Sequence, residues 1–453
     1  MRKILLAGVA TVAMTGVAAA AGLEPTAPSS SSSVIGTSAP GKSVVRLDGY
    51  VFFGAGVASN TLDKGPATAG RAKADAFGFL STFRIYPSFD AQTAGGLRYG
   101  AFAEVRSRDN QAGVGTAAVS GTAGAASLTG FGGGVGTGGT RTSNALYVNR
   151  AWGFVGTDQL GQLRFGVVDG VASIMRTGTF ENEIADGGWN GWAPGMTRGV
   201  NPYRFSVGGG YEYSTQKITY LSPTWSGFQV GFSYAPGSAP NTAGDGNNVI
   251  AGGNARQASS AFAGDLARVR NLFEVGARYT GTFAGGFGTQ LHVGYIGSGA
   301  ISNVGGPTVN GGLTPRGLSV VTAGATVSYM GFVVGGYLNT GTVNGNFTPL
   351  NPGEKASMVY TVGAGYTNGP WAAGVAYTSA SQAGALGNTA KRTDVGFAAG
   401  VTYTYVPGAR LFVELVSGTA KERGVNLSNE VLPAGTTKAV NATAVIIGNS
   451  FRW

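Results

Sequence analysis

Apolar side chains alternate with small or polar ones along the chain from Ser43 onward, in segments of about ten to fourteen residues closed by turn residues. In the first segment, Val45 and Leu47 alternate with Arg46 and Asp48. A two-residue period puts one set of side chains on one face of a β-strand and the other set on the opposite face. The pattern therefore predicts an all-β protein whose strands have one apolar face and one small, polar face.

Composition excludes two large classes of protein. Charged residues make up 11% of the 453 residues, whereas a soluble globular domain carries about 25%. Glycine accounts for 80 residues, and each glycine inside a helix costs roughly 1 kcal/mol relative to alanine. The mean hydropathy is only +0.09, and from Ser43 onward no apolar stretch reaches the roughly 18 residues of a spanning helix. A soluble enzyme and a helical membrane protein are both excluded, which leaves a long β protein whose apolar residues are diluted by alternation.

Reactive residue types are scarce. The chain has no cysteine and a single histidine, His292, which argues against thiolate or zinc sites and against most general-base chemistry. His292 lies at an inward position in the middle of a predicted strand and is expected to line the interior. The net charge of +10 is not gathered into a run of Lys or Arg dense enough for nucleic acid. We expect no enzyme, no metal, no cofactor and no nucleic-acid partner.

The connections between segments fix the topology. Short turns such as 157–159, 223–224, 368–369 and 406–408 alternate strictly with long connections, so that all long connections lie at one end. An even number of antiparallel strands in an up-and-down barrel gives this arrangement. The sixteen predicted strands are 43–57, 74–89, 96–108, 143–156, 160–168, 211–222, 225–236, 269–281, 286–298, 317–330, 331–341, 356–367, 370–380, 392–405, 409–418 and 440–453.

The energetics of the membrane decide which face points inward. A Lys or Arg in contact with lipid near the midplane costs about 2–4 kcal/mol, and only a closed barrel or a helix pairs every backbone group inside a membrane. The charged positions therefore point into a lumen, and these are Arg46, Arg84, Arg98, Arg106, Arg164, Lys217, Glu274, Arg278 and Glu414. Residues of the opposite register, such as Phe228, Val230 and Phe232, are expected to meet lipid.

The N-terminus has the composition of a secretory signal. A basic start, Arg2-Lys3, precedes an apolar stretch from Ile4 to Val17 and a run of alanines, which predicts cleavage after residue 20 or 21. The predicted organisation is a signal peptide over 1–21, a flexible Pro/Ser-rich lead-in over 22–42 and a transmembrane barrel over 43–453.

Three motifs carry a family resemblance. Residues 150–156 (RAWGFVG) and 160–166 (LGQLRFG) resemble the paired fourth and fifth strands of Gram-negative general-diffusion porins. Residues 220–228 (YLSPTWSGF) are similar to the turn that follows the sixth strand of those porins. Phe451 and Trp453 end an alternating strand, as in the C-terminal assembly signal of outer-membrane barrels.

The resemblance implies a site. Members of that family are sixteen-stranded trimers whose third long loop folds into the lumen, and here the longest connection, 169–210, lies at the matching place. In the family, carboxylates on this constriction loop face arginines on the opposite wall. The corresponding acids are Asp169, Glu181, Glu183 and Asp186, and the basic wall is Arg46, Arg84 and Arg150, with Lys217 and Arg106 as second choices. Trp189 and Trp192 on the same loop are candidate solute contacts.

Three hypotheses about function remain. The first is a homotrimeric porin of the Gram-negative outer membrane, embedded in lipid and lipopolysaccharide, for passive diffusion of small hydrophilic solutes and ions, with a weak anion preference. The second is a solute-specific porin for sugar or phosphate. The third is a Gly-rich secreted adhesin, which carbonate or urea would extract from membranes, whereas a barrel would stay embedded.

Overall fold

A computed structural model of the chain is a closed barrel of sixteen antiparallel strands, each paired with its sequence neighbours, with the last strand paired to the first. The structure describes residues 39–64, 73–107, 146–181, 184–197, 199–202, 215–237, 269–300, 314–343, 349–383, 391–423 and 437–453. The strands are β1 (Lys42–Asn60), β2 (Phe77–Gln92), β3 (Arg98–Ser107), β4 (Leu146–Thr157), β5 (Gly161–Val168), β6 (Thr215–Leu221), β7 (Phe228–Gly237), β8 (Arg270–Phe283), β9 (Phe287–Gly299), β10 (Ser319–Tyr329), β11 (Phe332–Gly341), β12 (Ser357–Asn368), β13 (Trp371–Ala383), β14 (Lys391–Val406), β15 (Ala409–Arg423) and β16 (Thr437–Arg452).

The predicted fold class, strand number and order are confirmed. Every predicted segment corresponds to one observed strand, and the largest difference is at β15, which continues to Arg423 rather than ending at 418. Two short helices, α1 (Thr61–Lys64) and α2 (Val171–Ile174), interrupt the connections. Within the described ranges, no helix is long and apolar enough to cross a membrane. The predicted signal peptide lies outside the described residues.

The sidedness of the strands follows the predicted parity. On β7, Phe228, Val230 and Phe232 are exposed on the outer surface, whereas the intervening Gln229 and Ser233 are buried inside. On β4, Arg150, Trp152 and Phe154 are all buried. The β3–β4 register shifts beside Glu104, where Asn149 is skipped. This irregularity precedes Arg150, so Arg150, Trp152 and Phe154 keep one parity and share the inward face. Both rings pack with Phe102 inside the barrel.

Aromatic side chains form two rows on the outer surface, as expected where a barrel meets the two membrane interfaces. The row near the short turns contains four pairs of rings whose centroids are 4.2–4.7 Å apart: Phe228 with Tyr279, Phe287 with Tyr329, Phe332 with Tyr366, and Trp371 with Tyr403. The row near the long connections contains the pairs Phe273 with Tyr295 and Tyr360 with Tyr377.

The C-terminal strand closes the barrel. Phe451 lies opposite Val51, and the backbone N–H of Gly49 donates to the carbonyl of Trp453 at 3.1 Å. A side chain at Gly49 would collide with the Trp453 ring, which lies 2.0 Å from the position of a Cβ atom. The structure thus places Phe451 and Trp453 at the closing seam, and their role as an assembly signal stays a prediction.

Candidate functional site

The connection between β5 and β6 enters the barrel through a buried polar anchor. Its described residues, 169–181, 184–197 and 199–202, are called here the inner loop. The N–H of Val171 donates to Ser233 Oγ on β7 at 2.9 Å, and the N–H of Ala172 donates to Glu274 Oε2 on β8 at 2.9 Å. Lys217 Nζ donates to the other oxygen of Glu274 at 3.2 Å. The side chains of Lys217 and Glu274 are 0% and 1% exposed, so this ion pair is sealed beneath the start of the loop.

The inner loop then follows the wall over lumen-facing glycines. Thr177 Oγ1 donates to Gln290 Oε1 on β9 at 3.1 Å, and Phe180 rests against Gly363 on β12. A Cβ atom at Gly324 on β10 would come within 2.1 Å of the Thr177 carbonyl oxygen. Glycine on the lumen face therefore leaves the space that the loop backbone occupies, which gives a physical reason for part of the high glycine content.

A compact turn fixes the far part of the inner loop. Asp186 Oδ2 accepts the backbone N–H groups of Trp192 and Ala193 at 3.0 and 3.1 Å. The N–H of Asp186 donates to Glu414 Oε2 on β15 at 2.8 Å. Burial raises the pKa of Asp186, because an ionised carboxylate loses hydration there. Both carboxyl groups lie in this enclosed contact between the loop and the wall.

Apolar packing completes the loop–wall contact. Trp189 is 3% exposed and lies over Gly396 on β14 and Gly418 on β15, where a Cβ atom would be 2.4 and 3.0 Å from its ring. Met196 contacts Gly56 on β1 and Gly78 on β2. The described part of the loop therefore follows the inside of the barrel from β7 round to β2.

A cluster of arginines surrounds one carboxylate on β2 to β4. Glu104 accepts hydrogen bonds from Arg106 Nε at 2.5 Å and from Arg150, while Arg84 Nη1 lies 3.8 Å away. Glu104 is fully enclosed, whereas the side chains of Arg84 and Arg106 are 16% and 15% exposed. Arg84 and Arg106 therefore reach the lumen, whereas Glu104 and Arg150 are buried.

Tryptophan and tyrosine flank the most exposed arginine of this cluster. The Arg84 guanidinium carbon lies 5.4 Å from the ring centroid of Trp192, on the inner loop, and 5.9 Å from that of Tyr50. These distances fit cation–π contacts. At Arg84, the inner loop thus meets the basic wall through an indole.

One predicted loop acid, Asp169, meets the predicted arginine wall through Arg150, whereas Glu181 and Asp186 have partners elsewhere. Asp169 pairs with Arg150 at 2.8 Å at the root of the loop, and Glu181 pairs with Arg176 at 2.6 Å within the loop. Asp186 holds the backbone turn, and Glu183 lies outside the described residues. Asp169, Glu181 and Asp186 therefore do not form the expected row of loop carboxylates that faces the arginines across the water-filled lumen.

Two further expectations need correction. Lys217 does not line the lumen, because the loop root encloses it against Glu274, and Trp189 does not face solutes, because it is packed between the loop and the wall. Arg46, 3.9 Å from Asp90, remains 30% exposed. Sequence reasoning assigned no role to Glu104, Glu274 or Glu414. The available signal is a carboxylate at inward parity within a strand that also carries arginines.

One glycine pair tests whether wall contacts position the inner loop. Gly178 has a φ of +80°, and its Cβ would lie 2.1 Å from the Gly336 carbonyl oxygen, whereas Gly353 has a φ of +85° and nothing within 4 Å. Alanine at either site costs about 1–2 kcal/mol for the left-handed backbone, but only Gly178→Ala also pushes the loop from the wall. We expect single-channel conductance to change in Gly178→Ala and not in Gly353→Ala. Equal conductance in both variants would show that this contact does not set the loop position.

The sequence matches the family model described as Gram-negative porin over residues 7–422. The chain belongs to the Gram-negative porin family. No curated protein sequence matches it significantly.

Solved porins share the fold of this porin. The anion-selective porin from Comamonas acidovorans is similar with a TM-score of 0.52 and 15% identity, covering 91% of this chain and 100% of its own. A triple mutant of the Rhodopseudomonas blastica porin gives 0.51 and 13%, covering 90% and 100%. OmpT of Vibrio cholerae, solved in a trimer form, gives 0.50 and 12%, covering 91% and 99%.

Family and barrel together define the activity. This protein is an outer-membrane porin, a water-filled channel for passive diffusion of small hydrophilic solutes and ions. The inner loop lies inside that channel. The arginine cluster on β2 to β4 faces the part of the lumen that the loop leaves open.

Proposed function

We propose that this porin prefers anions, and that the arginine cluster around Glu104 sets the preference. The supporting observation is the unequal exposure in that cluster, since Arg84 and Arg106 reach the lumen while Glu104 is enclosed. The loop acids Asp169 and Glu181 are engaged by Arg150 and Arg176, so that local ion pairs offset their charge. The potential at the narrowed lumen is then positive.

The range of this potential suits a narrow channel. The Debye length is about 8 Å at physiological ionic strength and about 3 Å at 1 M salt. Wall charge therefore acts across a narrowed lumen at physiological salt, and its influence shrinks at high salt. Selectivity that arises from the cluster has to weaken as the salt concentration rises.

Reversal potentials in a salt gradient test the proposal. The double variant Arg84→Gln with Arg106→Gln removes two lumen charges and leaves Glu104 paired with Arg150. We expect the anion-to-cation permeability ratio of this variant to fall several-fold in about 0.1 M salt. Lys64→Gln with Lys355→Gln, two exposed residues outside the strands, removes the same charge as a control. An unchanged reversal potential in the arginine variant would contradict the proposal.

A solute-specific channel is the second candidate. The observation that favours it is Trp192, which is partly exposed on the inner loop and lies over Arg84. An aromatic face beside a guanidinium suits a sugar or a phosphate. A specific channel has a current that a millimolar concentration of its solute blocks, and Trp192→Ala removes the block, whereas a general channel shows no block by sugar or phosphate.

We also propose a homotrimer, in which β15, β16 and β1 contribute to the subunit contact. The outward face of β15, β16 and β1 is apolar, and its exposed side chains include Leu411, Val413, Ile447, Phe451 and Phe53. A large exposed apolar surface of this kind suits contact with another copy of the chain.

The proposed orientation places the short turns in the periplasm and the long connections outside the cell, as in outer-membrane barrels. Export requires a signal, which we assign to residues 1–21, followed by the lead-in 22–42 and the barrel domain 43–453. Outer-membrane lipid and lipopolysaccharide are the proposed surroundings of the lipid-facing surface.

A further inference from the structure

We propose that Met196 on the inner loop is an oxidation site, at which a small, neutral two-electron oxidant such as hypochlorous acid releases the loop from the barrel wall. The inference depends on the position of the inner loop inside the channel and not on the ion preference of the channel. The sequence has six methionines, and those outside the predicted signal peptide are Met175, Met196, Met330 and Met358.

The thioether of Met196 occupies a recess in the wall near the far end of the inner loop. Gly56 on β1 lies directly opposite Gly78 on β2. A Cβ atom at Gly56 would lie 3.3 Å from Met196 Cε, and a Cβ atom at Gly78 would lie 3.3 Å from Met196 Sδ. Ile446 on β16 borders the same recess, and Met196 packs against the apolar cluster between loop and wall. An unbranched, flexible thioether suits such a shallow apolar recess.

Met175 makes the same kind of contact at the start of the inner loop. Gly231 on β7 lies directly opposite Gly276 on β8, and Cβ atoms at these positions would lie 3.0 Å from Met175 Cε and 3.3 Å from Met175 Sδ. The loop is therefore seated at two places by a methionine over a pair of facing glycines.

The two methionines differ in their access to the lumen. Met175 is 0% exposed, whereas Met196 is partly exposed. Because the inner loop lies inside the channel, the exposed surface of Met196 borders water that small hydrophilic solutes reach by diffusion. A small neutral oxidant therefore reaches the sulfur of Met196 and not that of Met175.

The reaction is the transfer of one oxygen atom to a thioether. Hypochlorous acid delivers its oxygen to Sδ, so that a sulfur–oxygen bond forms while the oxygen–chlorine bond breaks, and chloride and a proton are released. Sulfur loses two electrons and chlorine gains them. The product is methionine sulfoxide, which is polar and chiral and which methionine sulfoxide reductases convert back to the thioether.

A sulfoxide does not suit the recess that the thioether fills. The recess is bordered by the two glycines of the paired β1–β2 ladder and by the aliphatic side chain of Ile446. A sulfoxide oxygen buried against these groups gives up hydrogen bonds with water, and burying a polar group without a donor is unfavourable. The oxidised side chain is therefore expected to leave the recess and to turn towards the lumen.

Release of Met196 reaches the arginine cluster through one short helix. Trp192 and Met196 cap the two ends of the 3₁₀ turn Ala193–Gly195, and the Trp192 ring lies 5.4 Å from the guanidinium carbon of Arg84. Displacement of this turn moves the indole away from Arg84 and widens the lumen beside the cluster. Oxidation is thus expected to shift the channel to a higher conductance level.

Peptide mass spectrometry and single-channel recording of the purified porin, treated with a small molar excess of hypochlorous acid, test the proposal. We expect Met196 to gain one oxygen atom together with Met330, which is 75% exposed on a short turn, while Met175 stays reduced. The conductance level should rise, and methionine sulfoxide reductases should restore it. Met196→Leu keeps an apolar side chain of similar volume and should show no shift on oxidation, whereas the control Met330→Leu should respond like the wild type.

Met196→Gln places a polar side chain of similar length in the recess without any oxidant, and it should conduct like the oxidised wild type. Heat-dependent gel mobility checks that the barrel of each variant is folded. Three results would overturn the proposal. They are a reduced Met196 after complete oxidation of Met330, an equal conductance shift in oxidised Met196→Leu and oxidised wild type, or native conductance in Met196→Gln.

Discussion

Glu274→Ala is expected to release the start of the inner loop from the wall. The side chain of Lys217 is 0% exposed in the native pair, and the substitution removes the carboxylate that neutralises its ammonium group. It also removes the acceptor of the hydrogen bond from the Ala172 N–H. Breaking a buried ion pair by removing one partner costs about 3–5 kcal/mol. Because the barrel's backbone ladder does not depend on this pair, we expect the loss to appear as a displaced loop. Single-channel recordings should show larger and noisier conductance.

A double variant separates charge from structure. Lys217→Met with Glu274→Gln removes both charges, and the glutamine oxygen still accepts from Ala172. Replacing both members of a buried pair is often close to neutral, so we expect this variant to recover native conductance. Thermal unfolding monitored by gel mobility reports on the barrel in each variant. Native conductance in Glu274→Ala would show that the pair does not hold the loop.

The barrel was predictable because its determinants are local. The side-chain period of two, the cost of a charge in lipid and the alternation of short and long connections act on neighbouring residues, and each is legible in the sequence. The strand from Lys391 to Val406 illustrates this, since its predicted bounds were 392 and 405. Trp152 and Phe154 have the same parity as Arg150 and are buried on the same inward face.

The site was predictable only in part because its contacts are distant in sequence. The sequence and the family resemblance together located the inner loop and the basic wall, yet not which acid meets which base. Glu274 meets Ala172 across 102 residues, and Glu414 meets Asp186 across 228. No local pattern encodes such pairings. Trp189 looked like a solute contact because aromatic residues occur in both binding sites and packed interiors, and only the glycines at 396 and 418 explain its burial.

Asp186→Ala is expected to unfold the far turn of the inner loop. The substitution removes the acceptor of the Trp192 and Ala193 N–H groups, and each buried N–H left without a partner costs roughly 1–3 kcal/mol. Trp192 would then leave its position over Arg84, and conductance should rise. Asp186→Asn is the matched control, because its amide oxygen can accept the same two N–H groups, and it should conduct like the wild type near neutral pH. Similar conductance in the alanine and asparagine variants would contradict the assigned role.

The same residue predicts a pH dependence of the loop. Asp186 lies on the inner loop, outside the membrane-spanning strands, and burial raises its pKa above the usual 3.8. Because the pKa of Asp186 is higher when the loop is docked against the wall than when the loop is released, the docked state binds more protons. Docking of the loop is therefore strongest at low pH and weakens as the pH rises from about 4 through the raised pKa. Conductance noise in the wild type should therefore increase with pH across this window. The carboxyl group of Glu414 lies in the same contact, so Asp186→Asn combined with Glu414→Gln removes both titrating groups and should flatten the profile. An equally steep profile in this double variant would place the pH sensitivity elsewhere.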